Sequence, residues 1–134
     1  ETGAAFLKRD IQGEIVMLNL LRFREVADYE NFPQLAPPEP ISGRAAYQKY
    51  IEHTLPFLEA SGGELTYVGN GGDYMIGPPG EGWDMALLVR QSSVASFMAF
   101  ASDTAYLSGM GHRIAAVTDS RMLPLQDASK GKSR

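Results

Sequence analysis

Two halves of the chain repeat one order of signals, and that repetition leaves few folds open. Residues 15–23 read as a strand, 42–60 as a helix and 64–68 as a strand. Residues 83–90, 93–109 and about 113–118 then read as strand, helix and strand again. Each helix opens at a serine whose hydroxyl can accept a free N–H of the first turn, Ser42 in one half and Ser92 or Ser93 in the other. Each stops at glycine, Gly62-Gly63 or Gly109 and Gly111, where a left-handed residue ends a helix at least cost.

The strands at 15–23 and 83–90 are apolar on both faces, as expected of central strands. Ile15, Met17, Asn19, Leu21 and Phe23 share one face; Val16, Leu18, Leu20 and Arg22 share the other. In the second strand Trp83, Met85, Leu87 and Val89 alternate with Asp84, Ala86, Leu88 and Arg90. Two split β-α-β units predict an α+β fold, a ferredoxin-like β-α-β-β-α-β sandwich with a four-stranded antiparallel sheet. One face of such a sheet carries no helices and needs other cover.

The rest of the chain is organised around that unit. Residues 1–13 read as an N-terminal extension, its Glu1-Thr2-Gly3 start having the look of an appended or processed end. Residues 14–125 are one domain. Within it, residues 24–41 form a Pro-rich insertion holding Pro33, Pro37, Pro38 and Pro40, with a short helical turn expected near residues 28–32. A surface connection is the plainer expectation for it, and a lid over a pocket the sharper one. Pro56 falls inside the first helix and predicts a kink. Residues 69–73 and 77–82 are turn chemistry. Residues 120–125 are expected to close the domain or cross to a partner chain, and residues 126–134 to form a flexible basic tail.

Charge and composition exclude several function classes. A net charge of −4 leaves no basic face for nucleic acid. No apolar run approaches the ~18 residues of a membrane span. With no cysteine there is no thiolate nucleophile and no Cys-ligated zinc, and a reducing, cytoplasmic setting is the expectation. His53 and His112 are the only histidines, and neither stands at metal-ligand spacing, so no metal site is expected.

The polar residues within apolar elements are the candidates for chemistry. His112 is the side chain most easily poised as a base, and otherwise a strand-edge histidine bonded to a carbonyl. Arg113, next to it on a strand, would point to the opposite face. Asn19 must be hydrogen-bonded within its central strand, by a ligand or by a neighbouring strand. Arg22 calls for a carboxylate, and Asp84 is the expected structural partner if the first and third strands pair; the alternative is an anion-binding arginine in a substrate site, with Asp84 holding it in place. Trp83, Tyr47 and Tyr50 could wall an aromatic pocket, with core packing as the alternative.

With these elements placed, the chain resembles the dimeric α/β-barrel superfamily, and within it the "domain of unknown function 1330" family. The residues that carry the likeness are Asn19 to Phe23, Tyr47-Gln-Lys-Tyr50, Ser61-Gly62-Gly63, Trp83 to Arg90, Ser93-x3-Phe97, Asp103-x2-Tyr106 and His112-Arg113. It spans about Glu14 to Leu123 and rests on order and spacing together. The resemblance implies a homodimer, two sheets closing as an eight-stranded barrel with helices outside, and a small-molecule pocket in each protomer. Relatives in the superfamily include cofactor-independent and haem-degrading monooxygenases, isomerases and dehydratases. The expected activity is therefore binding of a small, partly apolar molecule, with cofactor-free acid–base or oxygenation chemistry if the protein is an enzyme. His112 would carry the proton in that case, and Asn19 and Arg22 would hold an oxyanion. A non-catalytic dimer is the first alternative and a haem-binding monooxygenase the second. Asn19, Trp83 and His112 match the Asn/Trp/His trio of haem-degrading relatives only superficially, because His112 follows Trp83 at long range and in strand territory.

Overall fold

The computed structural model describes residues 2–129. The elements in chain order are α1 (Thr2–Lys8), β1 (Ile15–Phe23), a short 3-10 turn (Pro33–Leu35), α2 (Gly43–Ala60), β2 (Glu64–Gly72), β3 (Trp83–Gln91), α3 (Val94–Ala101), α4 (Thr104–Leu107), α5 (Met110–Ala116) and β4 (Val117–Leu125). The strands form one antiparallel sheet in the order β2-β3-β1-β4. This is the α+β, ferredoxin-like arrangement that the two repeated halves demand.

The helix signals are realised as local chemistry. The Ser42 hydroxyl accepts Ala45 N–H at 3.0 Å and starts α2; the Ser93 hydroxyl accepts Ser96 N–H at 3.0 Å and starts α3. Gly62 takes φ +89°, and Gly63 N–H returns to the Leu58 carbonyl at 3.0 Å, which stops α2. α2 runs through Pro56 without ending.

Alternation on β1 decides the two faces of the sheet. Ile15, Met17, Asn19 and Leu21 are buried beneath the helices, with Met85 and Leu87 of β3 beside them. Tyr47, Ala46 and Ala116 complete this core from the helical side. The other face holds Val16, Leu18, Leu20 and Leu88, half-buried, with Leu123 51% and Tyr67 59% exposed. No element among the described residues covers it.

Four expectations are corrected or refined. The segment at 113–118 is not the last strand. Residues 110–116 continue as helix, because Ala115 and Ala116 are small enough to bury fully and Gly111 lets Phe32 and Leu35 close on the turn. The last strand is therefore β4, and residues 120–125 lie inside it, paired with β1 from Leu21–Ser120 to Val16–Leu125. Arg22 does not pair with Asp84. Its guanidinium donates to the Gly82 and Glu81 carbonyls at 2.7 and 2.8 Å and meets Asp119 at 3.3 Å, across the β1–β4 register. The β1–β3 ladder ends at Leu21–Met85, so the next free N–H, that of Phe23, takes the Asp84 carboxylate at 2.8 Å. The helical turn expected near residues 28–32 is a single hydrogen-bonded turn, Phe32 N–H to the Tyr29 carbonyl at 2.8 Å, and the 3-10 helix follows it at Pro33–Leu35. Finally, β2 extends to Gly72 through residues that read as a turn.

Residues 24–41 are pinned rather than loose. Arg24 and Asp28 N–H groups bond the last carbonyls of α5, those of Ala116 and Ala115, at 2.8 and 2.9 Å. The segment thus satisfies a helix end that has no partners of its own. The extension before β1 also packs: the Phe6 ring meets Phe97 edge-on at 6.1 Å, and Ile11 is buried with Ile15 and Met17. The basic end expected at 126–134 lies, from residue 130 on, outside the described residues.

Candidate small-molecule site

α2 presents Tyr47, Tyr50, Ile51, Thr54 and Leu58 at spacings of three and four, which places them along one face. That face lies over the buried side of the sheet without filling the space between. A cavity of about 290 Å³ remains there, near the lower bound for small-molecule sites. Leu65, Leu87 and Val89 form much of its floor, and Phe97, Phe100 and Met110 close it from the helices.

Six polar side chains interrupt this carbon lining: Asn19, Tyr47, Tyr50, Thr54, Tyr106 and Arg113. Asn19 stands opposite Leu87 on one side and Met122 on the other. Its amide nitrogen donates to the Met17 carbonyl at 3.3 Å. The Tyr50 and Tyr106 hydroxyls share a proton contact at 2.6 Å. Asp103 caps α4 by accepting Ala105 N–H at 2.8 Å, which fixes the turn carrying Tyr106. His53 steadies the same turn, its Nε2–H donating to the Ala105 and Tyr106 carbonyls, each at 3.0 Å. Arg113 reaches the Tyr47 hydroxyl from α5.

Electrostatics keeps the phenols protonated. Burial above all, then the neighbouring Tyr50, pushes Tyr47 and Tyr106 well above the ordinary phenol value, and the nearby Arg113 charge only partly offsets this. Both therefore act as O–H donors near neutral pH and not as bases. Among the described residues no carboxylate and neither histidine lines the cavity.

The structure thus gathers four expected site residues, Asn19, Tyr47, Tyr50 and Arg113, and leaves out four. His112 sits on α5 outside the cavity, its Nδ1 2.7 Å from the Tyr29 hydroxyl of the Pro-rich segment. Burial first, then the charges of Lys49 and His53, lowers its pKa below 6.5. Arg22 lies 4.0 Å over the Trp83 ring, and the Trp83 indole N–H donates to Tyr74 at 2.7 Å. Asp84 is engaged with the Phe23 backbone. A haem in the cavity would find no imidazole for its iron. Among the described residues no group of three or more His, Asp or Glu is placed to hold a metal ion.

Thr54 and Tyr106 escaped the sequence reading as site residues. Thr54 was findable, since it continues the Tyr47–Tyr50 stripe by one turn. Tyr106 follows a recognisable Asp103 cap, yet nothing local says that α4 folds back against α2.

No protein-family model and no curated protein matches the chain. Solved structures do. The methylated RPA0582 protein is 34% identical over 98% of this chain and 93% of its own, with a TM-score of 0.83. RPA0582 of Rhodopseudomonas palustris, a protein of unknown function, is 35% identical over 92% of this chain and 89% of its own, with a TM-score of 0.77. A dimeric protein of unknown function with a ferredoxin-like fold, from Bacteroides fragilis NCTC 9343, shares 14% identity over 87% of this chain and 98% of its own at a TM-score of 0.52, a likeness of fold alone. At a third of positions identical over nearly its whole length, the chain belongs to the same family as the RPA0582 protein of Rhodopseudomonas palustris.

Proposed function

We propose that this protein is a homodimer in which each protomer binds one small, largely apolar molecule in the cavity between α2 and the sheet. The single observation behind the binding reading is that cavity, carbon-lined with a few hydroxyl, amide and guanidinium groups. Void space inside a fold costs about 24 cal/mol per Å³ in lost contacts. A space of this size next to well-packed strands is best understood as one kept for an occupant. The dimer reading is supported by the uncovered apolar face of the sheet and by the dimeric state of the Bacteroides fragilis protein. The narrower likeness to the "domain of unknown function 1330" family belongs to this reading as well.

Acid–base or oxygenation chemistry draws less support than binding. Such turnover needs a group that exchanges protons near neutrality, and the phenols lining the cavity hold theirs. His112 could serve only from outside the cavity.

Titration with 4-phenylbutan-1-ol, followed by heteronuclear NMR, tests the site. The expected shifts fall on Ile51, Leu65 and Leu87, and Ala101→Trp at the cavity wall abolishes them. Shifts confined to Leu18 and Leu20 on the opposite face would sink the proposal.

A further inference from the structure

We infer that the occupant of the cavity is an apolar monocarboxylate, held at its charged end by Arg113. The inference rests on the binding reading above and adds the ligand's charge to it.

The first ground is an imbalance of charge. Arg113 is half-buried, lines a cavity otherwise made of carbon and neutral polar groups, and pairs with no carboxylate among the described residues. Of the other half-buried arginines among the described residues, Arg22 meets Asp119 and Arg90 meets Glu14 and Glu64, while Arg24, which does not line the cavity, also has no carboxylate partner. A guanidinium presents a planar fork that suits a carboxylate, and it cannot relieve its position by losing its proton. Beside it stand the Tyr47 and Tyr106 phenols, and the Tyr47 hydroxyl that it reaches offers a proton of its own for an oxyanion to accept.

The second ground is independent. Thr54 is 8% exposed, lines the same cavity, and its hydroxyl has no hydrogen-bond partner among the described residues. Such an orphaned hydroxyl is costly unless something in the cavity bonds to it. Donors prevail along this wall: the Arg113 guanidinium, the Tyr47 phenol and the Thr54 hydroxyl can all donate. Among the described residues no acidic side chain lines the cavity to repel an anion. The remaining polar groups of the lining, Asn19, Tyr50 and Tyr106, are neutral, and among the described residues no second charged side chain lines the cavity. One carboxylate on an aliphatic or aromatic body is therefore the ligand that uses the one charged group of the lining and the donors beside it.

The test compares matched acids and alcohols on the intact protein at pH 7 by titration calorimetry: 4-phenylbutyrate with 4-phenylbutan-1-ol, and octanoate with 1-octanol. The acids are expected to bind about tenfold more tightly than the alcohols, as befits one charge-assisted contact. Arg113→Met is expected to erase that preference, and Arg113→Lys to keep part of it. Were Arg113→Met to misfold, the wild-type acid-to-alcohol ratio and the Lys variant would still decide. Equal affinity for acids and alcohols in the wild type would overturn the carboxylate and leave the cavity reading standing. If no member of either pair binds at millimolar concentration, both readings fall.

Discussion

His112 shows how far one residue's surroundings depart from its place in the sequence. Buried partly against α2 and the Pro-rich segment, it meets Tyr29 and feels the positive charges of Lys49 and His53. The fold therefore favours the neutral ring. Between the depressed pKa and the ordinary 6.5, the unfolded chain holds more protons than the folded one, so stability rises with pH across that window. Above it the penalty is gone; below it the penalty is complete. Chemical denaturation at pH 5 and pH 7.5 should show wild type losing more stability on acidification than His112→Gln, and identical losses would contradict this account. The same residue illustrates what was hidden in the chain. Histidine next to arginine was legible as chemistry, but the two were placed on opposite faces of a strand. On α5, Arg113 enters the cavity and His112 faces Tyr29.

At the scale of elements, the first half of the chain was read almost entirely from local signals. The Ser42 cap, the helical stripe and the Gly62 stop are interactions within a few residues, so the sequence carries them openly. The second half misled at residues 113–118. A run of Ile, Ala and Val suits a strand, and only packing against α2 and the Pro-rich segment makes it a helix. The junction of that packing is Gly43. A methyl group there would strike the backbone carbonyls of Ala116 and Arg24. Gly43→Ala should thus destabilise the fold by about 3 kcal/mol, since backbone on two sides cannot move aside cheaply. A loss below about 1 kcal/mol in urea denaturation would show that this junction is looser than its geometry.

For the whole molecule, the decisive surface is the bare face of the sheet. Val16, Leu18, Leu20 and Leu88 lie at its centre, with Leu123 and Tyr67 exposed around them. A second copy placed against it would remove this apolar area from water, at about 25 cal/mol per Å². Leu18→Glu places a charge at the centre of that patch without touching the buried face. Sedimentation should then report a monomer where wild type sediments at twice the chain's mass, while binding in the cavity persists. A wild type that is monomeric at micromolar concentration would remove the dimer from this account. The expected cavity, by contrast, does not depend on a second copy, because helices and sheet of one chain enclose it.

The periodicities of strand and helix, the caps and the glycine stops were enough to specify a four-stranded α+β sandwich, because each is written within a few residues or in a repeat. The identity of the last strand, the partner of Arg22 and the meeting of Arg113 with Tyr47 and Tyr106 were not legible in that way. Each joins residues far apart in the chain, and it is the closure of α5 and α4 on α2, a matter of shape and burial across the domain, that chose among them.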